Sequence, residues 1–237
     1  MKSIMKNFLF PIFLVVFGIS TATSQSFWFG AKSGLGLHRQ QWSNFNRQFI
    51  TTAFGDALIE SYDEEETNSL YAMLGYHLRG SGIRFTQFQG YTTQTNGYIF
   101  RNLVLELGVK RALGDYGDKY RPYYIMAVRG EYTLSTNLDE FVGYDTRYFP
   151  HNDFVNKFNY GITFGAGYEW TTSNYQKVFL ELAINPDVSY QYDQPALSNV
   201  RNPYTGTKEN LSPVRVRNLS FEIKVGVKFL RKVTYID

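Results

Sequence analysis

From 219 to 229 the chain alternates without a break. Leu219, Phe221, Ile223, Val225, Val227 and Phe229 share one side, and Ser220, Glu222, Lys224, Gly226 and Lys228 share the other. A repeat of two is the signature of an extended strand with one apolar face. Residues 158–170 repeat it, with Phe158, Tyr160, Ile162, Phe164, Ala166, Tyr168 and Trp170 against Asn159, Gly161, Thr163, Gly165, Gly167 and Glu169. In 178–192 the apolar side runs Val178, Leu180, Leu182, Ile184, Pro186, Val188, Tyr190 and Tyr192, and the 15 residues make a strand longer than most globular ones. Fainter alternation at 27–37, 70–78, 83–92, 103–109 and 120–134 brings the expected number of strands to eight. Helical spacing is almost absent.

The expected connections differ in length. Residues 38–69, 135–157 and 193–218 are long, whereas 79–82, 93–97, 112–119 and 171–177 are short. Tight turns at one rim and extended loops at the other, with an even number of strands, predict an all-β fold: an eight-stranded antiparallel up-and-down transmembrane β-barrel with both termini on the short-turn side. The segment 114–119, GDYGDK, reads as a turn, because no Lys-Ser/Thr pair and no helix follow it.

Alternation alone leaves two orientations open. The apolar stripes can face inward around a ligand, as in a soluble lipocalin-like periplasmic carrier, or outward into lipid. Two features favour lipid. Gly30, Gly34, Gly36, Gly75, Gly108, Gly161, Gly165, Gly167 and Gly226 sit on the polar sides among charged residues, as a narrow interior needs small side chains between long ones. The stripes are also aromatic at their ends, with Phe158 and Tyr160 opposite Tyr168 and Trp170, in the manner of interfacial girdles. Turned inward, the polar sides carry Lys32, Glu106, Lys110, Arg129, Glu131, Glu169, Glu181, Glu222, Lys224 and Lys228, five basic and five acidic. Buried charges persist only when paired, so this set predicts an ion-pair network that plugs the lumen.

The N-terminus supplies the compartment. Lys2 and Lys6 precede an apolar run from Phe8 to Ile19, and Ala22 and Ser24 stand at −3 and −1 of a cut before Gln25. This is the order of a secretory signal over 1–24, with a barrel domain over 25–237. The apolar run is too short for a bilayer helix, which needs about 20 residues. Without the signal lysines the chain has 22 basic against 21 acidic residues, which gives no argument for nucleic acid. It has no Cys, which excludes a disulfide scaffold, a thiolate metal site, a cysteine nucleophile and a lipidated first residue.

The segments YIFRNLVLELGVKRAL, RPYYIMAVRGEY, FNYGITFGAGYEW and VFLELAINPDVSYQY, with the final FEIKVGVKF, resemble the PorT-like outer-membrane β-barrel domain family of Bacteroidetes over about residues 27–229. The resemblance implies an eight-stranded barrel in the outer membrane, in a family with a few members in secretion and gliding machinery. Lys224, Gly226 and Phe229 resemble the C-terminal insertion signal of such barrels, from which the tail 230–237 departs.

Candidate chemistry is thin. His38 and His151 flank two long connections, with Ser43 and Asp153 near them, and a lipid-modifying enzyme would need such groups to meet at one rim. His77 is expected on the lumen side, beside the turn at 79–82. Asp56 and the run Asp63, Glu64, Glu65 and Glu66 read as a solvated acidic loop rather than a Ca²⁺ site, which needs converging oxygens. Tyr144, Arg147, Tyr148, Phe149, Arg201, Tyr204, Lys208, Arg215 and Arg217 read as a partner or glycan-binding surface. The expectation is therefore a non-enzymatic outer-membrane barrel without cofactor or metal. Its expected partners are outer-membrane lipid and lipopolysaccharide, and envelope proteins met through loops 38–69, 135–157 and 193–218.

Overall fold

In the computed structural model, residues 26–42, 46–62, 67–86, 93–114, 118–141, 147–173, 175–202 and 205–233 are described. The expected signal, Ser43, the run from Asp63 to Glu66, Tyr144 and Tyr204 lie outside them. The strands are β1 (Phe27–Gln40), β2 (Asn46–Gln48), β3 (Ile50–Ser61), β4 (Asn68–Thr86), β5 (Thr93–Ala112), β6 (Tyr120–Thr136), β7 (Phe158–Ser173), β8 (Gln176–Pro186), β9 (Tyr192–Gln194), β10 (Leu197–Arg201), β11 (Lys208–Leu211), β12 (Val214–Val216) and β13 (Asn218–Arg231).

Eight of them, β1, β3, β4, β5, β6, β7, β8 and β13, pair antiparallel with their chain neighbours, and β1 closes the ring on β13. The closing register runs from Phe27 opposite Arg231 to Gln40 opposite Asn218. Closure leaves no free edge, which a membrane-spanning sheet requires. Short β2 continues the β3 edge along the top of β4, with Gln48 opposite Gly82. Phe27 and Arg231 lie at one rim with the strand ends Ser61, Asn68, Ala112, Tyr120, Ser173 and Gln176, and the ends Gln40, Ile50, Thr86, Thr93, Thr136, Phe158, Pro186 and Asn218 lie at the other.

The number of strands agrees with the sequence, but two assignments within it are corrected. Residues 38–69 are not one loop, because 50–61 form β3. Its outward face, Thr51, Ala53, Gly55, Ala57 and Ile59, is mostly small, and its inward face mixes Phe54 and Leu58 with Asp56 and Glu60. Neither face shows the contrast that marks a strand. Conversely, 79–82 is no turn. β4 continues through it against β5, with Arg79 opposite Phe100 and Ser81 opposite Tyr98, because the polar residues read as a turn line the lumen. Residues 83–86 are therefore the end of β4, and 93–97 the start of β5. β8 stops at Pro186, short of the expected Tyr192, as proline has no N–H to offer a following pair. The long loops are thus 41–49, 137–157 and 187–217 in place of 38–69, 135–157 and 193–218.

The wall is inverted relative to a water-soluble barrel. Leu70, Val128 and Phe158 are 66%, 65% and 66% exposed, and Leu35, Leu105, Met126, Leu182, Ile223 and Val225 extend the same outer belt. A continuous apolar belt on every strand is what hydrocarbon solvates and water does not. The chain is a membrane-spanning β-barrel of the eight-stranded outer-membrane type.

Candidate functional site

The inner face of the same strands carries almost all of the buried charge. Buried acids are Asp56, Glu60, Glu106, Glu131, Glu169, Glu181, Asp187 and Glu222, and buried bases are Lys32, Arg79, Lys110, Arg121, Arg129, Lys177, Lys224 and Lys228. Eight against eight leaves no net charge to compensate beyond the two buried histidines, and all ten residues expected in the lumen are among them.

Three tiers stack along the lumen. At the short-turn end, Lys228 Nζ lies 2.8 Å from both Glu60 and Glu169. Lys110 joins the same two carboxylates, with 3.2 Å to Glu60 and a closer contact to Glu169. Lys177 reaches Glu169 at 3.2 Å. Below them Trp28, 2% exposed, presents its ring to Lys177 and Lys228 at 4.8 and 5.0 Å and closes the base.

In the middle tier, Glu181 receives Lys32 and Lys224, each at 3.3 Å, and the Tyr123 hydroxyl donates to it at 3.2 Å. Tyr71 and Thr163 donate to the two oxygens of Glu106, both at 2.7 Å. A void of about 30 Å³ among Lys32, Glu60, Tyr71, Lys110 and Glu181 has room for about one water.

Higher up, His77 sits between Asp56 at 2.7 Å and Glu222 at 3.5 Å, Arg79 bridges Glu131 at 2.9 Å and Glu222 at 3.3 Å, and Arg129 joins Glu131 to Asp187, both at 2.6 Å. Glycine makes room for this filling. A Cβ at Gly36 would overlap the His38 ring, and one at Gly226 would overlap the Phe179 ring.

Towards the loops the chemistry changes from ions to amides. Asn218 donates to Asp187 at 2.7 Å and to Gln191 at 2.6 Å, Gln40 donates to Gln191 at 3.1 Å, and the Trp42 indole donates to Gln40 at 2.9 Å. Above lies an apolar lid of Trp42, Tyr98, Phe100, Leu138, Tyr192, Val214 and Val216, with Phe154 and Val155 against it. Tyr192 binds it together. Its ring lies 5.1 Å from Trp42, its hydroxyl donates to Gln194 at 2.7 Å and accepts from the His151 backbone at 3.2 Å, and burial pushes its pKa up from 10.0 to about 12.

The expected rim histidines do not form one site. His38 is turned into the lumen and shares a 2.7 Å hydrogen bond with Ser220. His151 stands at the loop rim and pairs with Asp153 at 3.3 Å, both solvated. Asp56 is a lumen residue rather than part of an acidic loop. Asp56 and Glu60 were missed as site residues because β3 was missed, and Arg79 because it sat in an apparent turn. Lys177 and Arg121 lie at strand ends, where the fading of the pattern hid their inward direction. Among the described residues no group of three or more His, Asp and Glu is arranged to hold a metal.

No family model matches the sequence, and no curated protein does. Among solved structures, the chain is similar to the N-terminal β-barrel domain of Pseudomonas aeruginosa OprF, at 10% identity and TM-score 0.38 over 84% of this chain and 97% of that one. It is similar to Neisserial surface protein A at 10% and 0.41, over 85% and 96%. Escherichia coli outer membrane protein W is similar at 12% and 0.38, over 87% and 98%. These are similarities at about one-tenth identity, and what the chain does has to come from its own wall and lumen.

Proposed function

We propose that the chain is an outer-membrane barrel with a plugged lumen, acting non-enzymatically as a structural, binding or accessory component of the envelope through its loop side. The observation that carries this is the interior itself: three charged tiers stack between Trp28 at the base and the Trp42–Tyr192 lid, and the void beside Lys32, Glu60 and Glu181 measures about 30 Å³. Porins with aqueous channels use about twice as many strands. A lumen lined by eight carboxylates and eight cations also offers nothing to an apolar ligand, which sets aside the soluble carrier.

With the interior closed, contact with other molecules falls to the loops and the outer wall. The loop rim presents Arg147, Arg201, Lys208, Arg215 and Arg217 to solvent, and these exposed cations favour a partner surface within an envelope assembly. The enzyme reading loses support because His38 is engaged inside with Ser220 and does not meet His151.

Swelling of proteoliposomes tests this reading. Vesicles containing protein whose electrophoretic band shifts on boiling should take up sugars no faster than empty vesicles. Replacing 195–213 by a short Gly-Ser link should keep the band shift while removing envelope function. Sugar uptake by shifted, folded protein would overturn the plug, and intact function without the loop would overturn the loop-side role.

A further inference from the structure

The outer wall is uneven, and one side of it has the features of a binding site. β4 and β5 are 19 and 20 residues long, whereas β1, β3, β8 and β13 have 14, 12, 11 and 14. On this short side the lipid-facing surface holds a groove of about 670 Å³ walled by Leu35, Leu37, Phe164, Leu182, Ile184 and Phe221, with Gly36, Gly165 and Ala183 in its floor. It reaches from Thr51 on β3 to Phe164 on β7. That crosses four strand spacings of about 4.8 Å, or roughly 19 Å, enough for several acyl chains side by side.

Basic residues crown the groove. Arg39 lies two residues beyond Leu37 on the same face of β1, about 7 Å further along the strand. Arg217 stands just before β13, fixed by the Gln41 N–H donating to its carbonyl at 3.1 Å, and Arg215 lies two residues earlier, in β12. Arg39 packs over the Phe49 ring at 5.4 Å, and Arg217 over Tyr190 at 4.3 Å, which holds both guanidinium groups at the interface. Arg215 pairs with exposed Asp193 at 3.2 Å, whereas neither Arg39 nor Arg217 has a carboxylate partner among the described residues. Three cations face one carboxylate, at the point where the apolar wall ends. Snorkelling alone explains a basic residue at an interface, but not two unpaired guanidinium groups directly above the concave part of the wall.

We propose that this face binds a phosphate-bearing, multi-chain lipid of the loop-side leaflet, with its phosphate on Arg39 and Arg217 and its chains in the groove. Guanidinium forks match phosphate in geometry and charge. The inference rests on the membrane-barrel reading above.

The test is native mass spectrometry of the folded, full barrel in detergent micelles, with diphosphoryl lipid A as probe and a neutral galactolipid and inorganic phosphate as comparators. The wild type should retain one lipid A and no galactolipid. The double variant Arg39→Gln/Arg217→Gln should bind it about tenfold more weakly, as two charged hydrogen-bonding groups are lost. Ala166→Phe, which fills the groove without touching a charge, should weaken it as well. Both variants should keep the boiling-dependent band shift. Equal retention by wild type and the double variant, equal binding of galactolipid, or no lipid A adduct on a shifted wild-type band would overturn the proposal. So would displacement by inorganic phosphate with Ala166→Phe unaffected, which would make the ligand a free anion. Absence of the band shift in the wild type would instead remove the membrane-barrel reading itself.

Discussion

The two ends of the lumen are lined by different chemistry. At the short-turn end, Lys110, Lys177 and Lys228 share Glu60 and Glu169 in ion pairs over the Trp28 ring. At the loop end, Asn218, Gln191, Gln40 and Trp42 form a neutral chain of hydrogen bonds under an apolar lid. The difference follows from what surrounds each end. Near the turns the paired strands hold long side chains side by side, so opposite charges meet with the geometry that burial demands. Near the loops, the connection 187–217 folds back over the opening, and irregular backbone needs donors and acceptors of both kinds, which amides supply. The lower cluster is part of the barrel wall, and the upper one is added to it.

The largest expected effect comes from breaking the lower tier. Glu169→Ala leaves three ammonium groups with Glu60 alone and should destabilise the barrel by about 5 kcal/mol, seen as a lower urea midpoint for loss of the unboiled band. Replacing Glu169 and Lys110 together by Gln and Met should recover part of that loss, because removing one charge of each sign restores the tier's original net charge. Trp42→Ala should cost about 3 kcal/mol, but locally. Hydrogen exchange should rise across 187–217 while β6 and β7 stay protected. Gln191→Ala should cost about 2 kcal/mol at the same place, by orphaning its amide partners.

The lid should also respond to alkali. The pKa of Tyr192 is raised from 10.0 to about 12 by burial, so its stabilisation is complete below pH 10.0 and is lost as pH rises towards 12. Ultraviolet titration of wild type against Tyr192→Phe checks this. The smallest effect belongs to Arg215→Ala. Its pair with Asp193 is solvated and worth under about 0.5 kcal/mol, so the urea midpoint should not move measurably.

How much of this was legible in the sequence depended on contrast between faces. β13 and β7 could be read almost residue by residue, because their outer sides are wholly apolar and their inner sides are charged, polar or glycine. β3 could not, since Ala53, Gly55 and Ala57 make a weak outer stripe and Phe54 lies inside. Arg79-Gly80-Ser81-Gly82 has the composition of a turn, yet it is the upper lumen. These two errors offset one another, so the total of eight strands survived while 38–69 lost its identity as a loop. The ten expected lumen residues came from strict register within well-marked strands. Their partners Asp56, Glu60 and Arg79 needed the three-dimensional closure of β3 and β4, which no local pattern supplies. The lid was equally hidden, because Trp42, Tyr98, Leu138 and Tyr192 come from four separate connections or strand ends.

The proposed barrel presents one wall to lipid outside and encloses a sealed, charged lumen. The natural absence of Cys allows a direct measurement. Single cysteines at Val225, on the outer face, and at Thr163 and Ser220, on the inner face, would be introduced into barrels refolded in vesicles and challenged with a membrane-impermeant maleimide and with a quencher carried on lipid chains. A fluorophore attached at Val225 should be quenched from the lipid. Thr163→Cys and Ser220→Cys should react with neither reagent until the barrel is unfolded. Rapid maleimide labelling at Thr163 and Ser220 in the folded barrel would mean an open, water-filled lumen and would contradict the account.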